Sequence, residues 1–236
     1  MLYALRQPLN FLALLVGFVA AILARGVVQA WLARALGARD FELRARSRPD
    51  LRRHGDAFGA VAALLGGTGW GSAAPVEGLL GRYVYGRARG RPAATAAAVL
   101  AAGPLTAGVV GLVALLGYRV AGGPVGLLRV WTPYDTLHGD LPKLDLGPRL
   151  LFLVGVAALA VAIIALVPVP PLDGGRLLFA LAPTTHGWQR VRHYAEQNWG
   201  VGLLLVLLII PLGGRGPVLL ALVDGLGEPL MHIIGR

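Results

Sequence analysis

The sequence predicts an all-α protein that crosses a membrane several times, and three observations lead to this fold class. Apolar residues make up 56% of the 236 residues, charged residues only 14%, and the mean hydropathy is +0.67. Soluble domains carry about 25% charged residues, so this chain has too few charges to cover a surface in contact with water. Charge-poor stretches long enough for spanning helices, which need about 20 mostly apolar residues, also recur along the chain. Soluble, disordered and fibrous classes are therefore excluded.

Four charge-poor stretches predict spanning helices. The first is interrupted by Arg25, the third runs into a proline-rich stretch, and the fourth is short and flanked by glycine. The predicted helices cover residues 9–36, 94–117, 150–167 and 200–213. Together they form a single membrane-embedded domain over 1–236.

The uncharged segment 57–76 differs from these four because it is rich in glycine. Its glycines lie at positions 59, 66, 67, 69 and 71. Each weakens a helix by up to about 1 kcal/mol, and irregular backbone at membrane depth survives only where protein or water satisfies it. The segment therefore predicts a re-entrant or hairpin loop against the bundle, with a fifth spanning helix as the alternative.

The basic residues predict how the chain is oriented. The connections 38–93 and 168–199 contain thirteen arginines, whereas the opposite side of the predicted bundle contains seven basic residues. Loops rich in Arg and Lys stay in the cytoplasm, so residues 38–93 are predicted to be cytoplasmic in a plasma membrane, with both termini outside. Anionic lipid headgroups explain the net charge of +10 more simply than nucleic acid does. The bilayer is accordingly the first predicted partner.

The stretch V-P-V-P-P-L-D-G-G-R-L-L-F, residues 167–179, carries the clearest chemical signal. Its prolines hold the chain extended, and Gly174 and Gly175 permit close backbone approach. Between them lies Asp173, at the end of a predicted spanning helix. A carboxylate within the membrane is costly and marks a functional site by default. The alternative is that Asp173 caps the next helix, predicted over 175–182.

This stretch resembles the second motif of the site-2 protease family, the intramembrane zinc metalloproteases. Further pieces resemble that family in the same order, at residues 30–37, 54–59, 69–76 and 102–105. The resemblance implies that Asp173 corresponds to the third zinc ligand. It also implies that the first two ligands would be the histidines of an H-E-x-x-H motif on the first core helix.

That motif is missing from this chain. The alignment places H-E-x-x-H on residues 25–29, where Arg25 and Gln29 replace the two histidines and Gly26 replaces the general-base glutamate. An arginine has donors only and stays protonated, so it is unsuited to binding a metal. Arg25, Gly26, Gln29 and Asp173 are therefore interpreted as vestigial positions, and no cofactor is expected.

The replacement itself predicts a contact. Positions 25 and 29 lie one turn apart on the same helix face, and an unpaired charge in a membrane costs several kcal/mol, so Arg25 is expected to pair with Asp173. In the alternative, Arg25 extends to the lipid headgroups and Asp173 caps a helix. The segment that carries His54 could fold back toward the same place.

These observations favour a proteolytically inactive bacterial membrane protein that binds or regulates a membrane partner. By the resemblance, its former substrate groove would hold a transmembrane helix of that partner. Two alternatives stay open at this stage: an active zinc-dependent protease with an atypical metal site, and a small transporter-like bundle.

Overall fold

The structure is a computed structural model that describes residues 1–38, 41–76, 92–139, 141–183, 185–195, 199–211 and 216–236. Within these ranges the chain forms helices and no β-strand, so the predicted all-α class is confirmed. After a short 3₁₀ helix (Leu2–Arg6), the helices are α1 (Pro8–Ala35), α2 (Phe41–Arg46), α3 (Leu51–His54), α4 (Ala57–Gly66), α5 (Pro92–Val120), α6 (Val125–Val130), α7 (Pro133–Leu137), α8 (Leu146–Ala165), α9 (Asp173–Leu181), α10 (His186–Tyr194), α11 (Gly200–Ile209) and α12 (Val218–Ile234).

Of the described helices, α1, α5 and α8 are long and apolar enough to cross a membrane. They correspond to the predicted spans 9–36, 94–117 and 150–167. The outer faces of α1 and α5 expose large apolar side chains, such as Val16 and Leu105, which suit a hydrocarbon surround. The chain is therefore an all-α polytopic membrane protein whose apolar helices contact the bilayer.

Helix α8 forms the centre of the bundle. Nearly every residue from Phe152 to Ala165 is buried, and α1 and α5 both pack along it. Glycines bring these helices close together: a Cβ atom at Gly17 of α1 would lie 2.7 Å from the Val154 carbonyl oxygen. Small residues at helix contacts are typical of membrane bundles.

The start of α8 lies four residues before the prediction because Arg149 belongs to the helix. Its Nε donates to Asn10 Oδ1 over 2.7 Å, and its Nη2 donates to the Gln7 side chain. The Arg149 guanidinium therefore binds polar groups at the beginning of α1. For this reason α8 continues through this charged residue, whereas the prediction began the helix after it.

The fourth predicted span, over 200–213, is wrong as a spanning helix. Helix α11 ends at Ile209, and its ten residues measure about 15 Å, half of a hydrocarbon core. Pro211 follows, has no backbone donor, and pairs with Pro217 in an isolated bridge. Residues 212–213 lie outside the described residues.

Helix α12 is not among the helices that the sequence predicts. It carries polar residues on one face, whereas its buried residues are Leu219, Leu220, Val223, Gly227 and Met231. This spacing directs one apolar stripe toward α8. On another face Asp224 Oδ1 accepts the Tyr134 backbone N–H over 2.8 Å, which fixes α12 to α7.

The glycine-rich segment forms the predicted hairpin. Asp56 caps α4 by accepting the Gly59 N–H over 2.7 Å, and Gly67, at φ 85°, ends the helix. The chain then returns, so that Gly71 pairs with Gly55 in an antiparallel bridge. A Cβ at Gly59 would lie 1.9 Å from the Trp70 carbonyl oxygen, which explains why glycine is needed there. The alternative of a fifth spanning helix is excluded.

Both ends of the chain pack against the connection between α5 and α8. Asn10 Nδ2 donates to the Gly139 carbonyl over 3.4 Å, and Arg129 Nε donates to the Gly235 carbonyl over 3.0 Å. Residues near positions 10 and 235 therefore lie at the same connection.

Candidate functional site

The centre of the site is an ion pair between α1 and α9. Arg25 Nε donates to Asp173 Oδ2 over 2.9 Å, and each side chain is only 1% exposed. Arg25 Nη1 also donates to the Gly71 carbonyl over 3.3 Å. The contact expected from the sequence is thus present, and because Arg25 is buried it does not extend to the lipid headgroups.

The proline-glycine stretch explains how Asp173 reaches this place. Helix α8 ends at Ala165, and α9 begins at Asp173 after a tight connection. A Cβ at Gly174 would lie 2.1 Å from the Leu166 carbonyl oxygen, so only glycine lets α9 start this close to α8. Leu172 occupies the N-cap position and Asp173 is the first helical residue, so the carboxylate does not cap the helix as the alternative held.

Gln29 connects the pair to α5. It lies one turn after Arg25, is fully buried, and its Nε2 donates to the Leu100 carbonyl over 3.3 Å. A Cβ at Gly103 would lie 2.3 Å from Gln29 Nε2 and 2.5 Å from Asp173 Oδ2. The amide and the carboxylate therefore lie side by side against a bare stretch of α5 backbone, where α1, α5 and α9 meet.

His54 lies directly against Gly26, the position that the motif alignment matches to a general base. A Cβ at Gly26 would lie only 2.0 Å from His54 Nδ1. His54 Nε2 lies 3.1 Å from the Arg48 carbonyl, and since a carbonyl only accepts, Nε2 carries the proton and Nδ1 the lone pair. Burial lowers the pKa of His54, and the nearby Arg46 charge lowers it further, so the imidazole is neutral. No side chain fits at position 26 beside it.

The extended segment 71–76 joins the site to the surrounding helices through its backbone. Its carbonyl oxygens accept hydrogen bonds from arginines on three helices: Arg25 on Gly71, Arg46 on Ala73 over 3.2 Å, and Arg176 on Ala74 over 2.8 Å. The Ser72 N–H also donates to the His54 carbonyl over 2.9 Å, which connects the segment to α3. The segment therefore fixes α1, α2 and α9 relative to each other.

Several polar atoms of the site have no protein partner within the described ranges. They are Arg25 Nη2, Gln29 Oε1, His54 Nδ1 and Asp173 Oδ1. Buried polar groups without a partner cost about 1–3 kcal/mol each. These four atoms therefore keep hydrogen-bonding capacity that the described protein groups do not use.

The donor set does not fit a catalytic zinc ion. Such an ion takes three protein ligands with free lone pairs, and here one oxygen of Asp173 already binds a guanidinium. Among the residues that the structure describes, no three His, Cys, Asp or Glu side chains come close enough to hold a metal.

The four residues predicted from the sequence thus meet at one place, whereas three contributors were missed. Two of them are the backbone carbonyls of Gly71 and Leu100. Every residue has such a carbonyl, so the sequence does not indicate which ones accept hydrogen bonds at the site. Gly103 could have been found, because it belongs to the A-G-P-L piece at 102–105 whose glycine lies against Gln29 and Asp173.

No family model matches the chain, and neither a curated protein nor a solved structure is found to be similar to it. What the chain shares with site-2 proteases is a resemblance of sequence motifs.

Proposed function

We propose that the chain is a proteolytically inactive, site-2 protease-like membrane protein that acts by binding or regulating a membrane partner. The contact between Arg25 and Asp173 carries this proposal. It joins a position aligned with the first zinc ligand to the residue aligned with the third, with both side chains buried. In this proposal the guanidinium of Arg25 takes the place of the zinc ion, and the former catalytic centre becomes a structural contact between α1 and α9.

The chemistry of the same residues supports inactivity. Hydrolysis of a peptide bond by such a centre needs a metal-bound water and a base that takes its proton. Position 26 has no side chain to act as that base, and His54 fills the space beside it. Arg25 cannot act as a ligand because it has no lone pair to offer.

The proposed setting is a bacterial plasma membrane with residues 38–93 in the cytoplasm. The exposed arginines of α2 and α3 suit an anionic leaflet, and residues 77–91 of this stretch lie outside the described residues. The proposed partner is a protein with a transmembrane helix, which the resemblance implies for the former substrate groove; nucleic acid is not expected to bind.

Restoring the two missing histidines tests the proposed relation to zinc proteases. We expect the purified wild-type chain to contain no stoichiometric zinc, and the double variant Arg25→His/Gln29→His to bind one zinc ion, because its two imidazoles would join Asp173. Metal analysis after dialysis measures both. Gly26→Glu is left out because its Cβ would collide with His54.

Adding Asp173→Asn to the double variant is the control, and it should abolish zinc binding while the protein stays folded. Stoichiometric zinc in the wild type that disappears in Asp173→Asn would contradict inactivity. A folded double variant without zinc would contradict the equivalence of positions 25 and 29 with the metal ligands.

Binding of a partner helix is tested by crosslinking in cells. A photoreactive amino acid at Val28, which is exposed and one turn from Arg25, is expected to crosslink to a membrane protein. Val16 is exposed on the same helix far from the site and serves as the control. Equal crosslinking at both positions, or crosslinking only to lipid, would contradict a partner at the site.

A further inference from the structure

Two open cavities lie side by side at the end of α1 that is farther from residue 1, and Arg44 lines both of them. The first has a volume of about 590 Å³ and is lined by Trp31, Arg34, Ala35, Ala38 and Arg44. The second has a volume of about 550 Å³ and is lined by Arg44, Ala45, Arg48, Pro49, Asp50 and Arg53. We call the two together the arginine pockets.

Specific hydrogen bonds hold the walls of the arginine pockets in place. Trp31 Nε1 donates to the Ser47 carbonyl over 3.0 Å, and Arg34 Nη1 donates to Ser47 Oγ over 3.1 Å. Leu43, next to Arg44, is fully buried and anchors α2 in the protein. Arg44 is therefore carried on a helix fixed to the end of α1, with its side chain exposed between the two cavities.

The arginine pockets have an excess of positive charge. Four arginines line them, against the single carboxylate of Asp50 among the described lining residues. That carboxylate is already engaged, since its Oδ2 lies 3.4 Å from Arg53 Nε and its Oδ1 accepts the Arg52 N–H over 3.0 Å. Within the part of the chain that the structure describes, neither the Arg44 nor the Arg48 side chain makes an ion pair.

The location of the pockets indicates where their ligand comes from. They lie at the end of a membrane-spanning helix, and Trp31 in the first cavity is 62% exposed. Tryptophan is enriched at the headgroup level of bilayers, and Trp31 lines the first cavity together with Arg34 and Arg44. In a bilayer crossed by α1, cationic groups at this end of the helix would lie at the level of the lipid phosphate groups.

We propose that the arginine pockets bind the phosphate group of an anionic phospholipid. Arg44, which lines both cavities, is the residue that contacts this phosphate whichever cavity it occupies. Guanidinium groups bind phosphate oxygens through paired, charge-assisted hydrogen bonds, and several of them can do so here at once. Free phosphate offers the same chemistry, and the lipid is favoured by the membrane-end position of the pockets. This site is separate from the Arg25–Asp173 contact, and it rests on the proposed membrane setting, in which the arginines of α2 and α3 face an anionic leaflet, but not on the proposed inactivity.

Substitution of single arginines tests the site in the full chain. Native mass spectrometry of the detergent-solubilised protein counts bound phosphatidylglycerol as its concentration is raised. We expect R44Q to weaken this binding about tenfold, the loss expected when a charge-assisted hydrogen bond to the phosphate is removed. R52Q removes the same charge from the same segment, but Arg52 lines neither cavity, so it should weaken binding clearly less than R44Q does.

Two further ligands separate the possible sources of the phosphate. Phosphatidylcholine should bind more weakly than phosphatidylglycerol, and inorganic phosphate should not displace the lipid at comparable concentration. Equal losses in R44Q and R52Q would overturn the proposal, because binding would then follow net charge alone. Displacement by inorganic phosphate would overturn the assignment to a lipid.

Discussion

Arg25 and Asp173 are charged side chains in the interior of an apolar bundle, and each depends on the other. An isolated buried charge costs several kcal/mol, whereas a well-bonded pair largely offsets that cost. The sequence allowed this contact to be predicted because both charges fall in stretches that otherwise contain none. It did not allow the Gly71 carbonyl to be predicted as the second acceptor for Arg25.

A double-mutant cycle tests this dependence. Arg25→Met and Asp173→Leu should each destabilise the protein by about 3–5 kcal/mol, because each leaves one buried charge without its partner. The double variant should lose less than either single variant, since it buries no charge. Unfolding in denaturing detergent, followed by circular dichroism, measures the three differences.

Arg52→Met is the control for the cycle, because Arg52 is exposed, and its effect should stay within about 0.5 kcal/mol. If the double variant is as unstable as the sum of the two single variants, the residues act independently and the pair does not link α1 to α9.

At the scale of helices, α12 is attached to α7 through a carboxylate with an unusual proton affinity. Burial raises the pKa of Asp224 to about 6, the charges of Glu228 and Asp135 add to this, and the hydrogen bond from the Tyr134 N–H opposes it. Since the folded protein holds this proton more tightly than the unfolded chain, the contribution of Asp224 to stability is largest below pH 3.8 and is lost as the pH rises through about 6.

Asp224→Asn should remove this dependence on pH. The variant keeps an oxygen that can accept the Tyr134 N–H but has no proton to lose. We expect the melting temperature of the wild type to fall relative to that of the variant as the pH rises from about 4 to about 7. If the melting temperatures of the two proteins change by the same amount over this pH range, Asp224 is not buried against α7.

The helices differ in how well their sequences predict them, and the reason is physical. Helices α1, α5 and α8 are long runs without charge, which only a spanning helix satisfies in lipid. Hydrophobicity alone predicted too long a helix for α11, because Pro211 prevents its continuation and the helix has only ten residues. Helix α12 was missed because Asp224 and Glu228 interrupt its apolar pattern, and Asp224 has its partner on α7 rather than on its own helix.

At the scale of the whole molecule, the proposed orientation in the membrane follows from charge and from contacts between distant segments. The pairing of residues near positions 10 and 235 with the connection between α5 and α8 keeps both at one place, although α11 is too short to span. The Arg-rich helices α2 and α3 lie near the other end of α1. In the proposed orientation, which follows the positive-inside rule, these helices face the cytoplasm.

Single cysteines test this orientation directly, since the chain has none of its own. In intact cells, a maleimide that cannot cross membranes should label Lys143→Cys and Arg236→Cys but not Arg52→Cys, all three positions being exposed. Permeabilised cells, in which all three should react, provide the control. Labelling of Arg52→Cys in intact cells would show that the orientation is the opposite of the proposed one.

The segment 71–76 has a consequence for how this protein tolerates change. Its carbonyl oxygens accept hydrogen bonds from Arg25, Arg46 and Arg176, and every amino acid possesses such an oxygen. Exchanging Ser72, which is not fully buried, for another small residue would therefore leave these bonds intact, whereas Ala73 and Ala74 are buried and have to stay small. Deleting a single residue would shift the following carbonyls by about 3.3 Å and misalign them with their arginines. The hydrogen bonds from the three helices therefore depend more on the number of residues in this segment than on their identities.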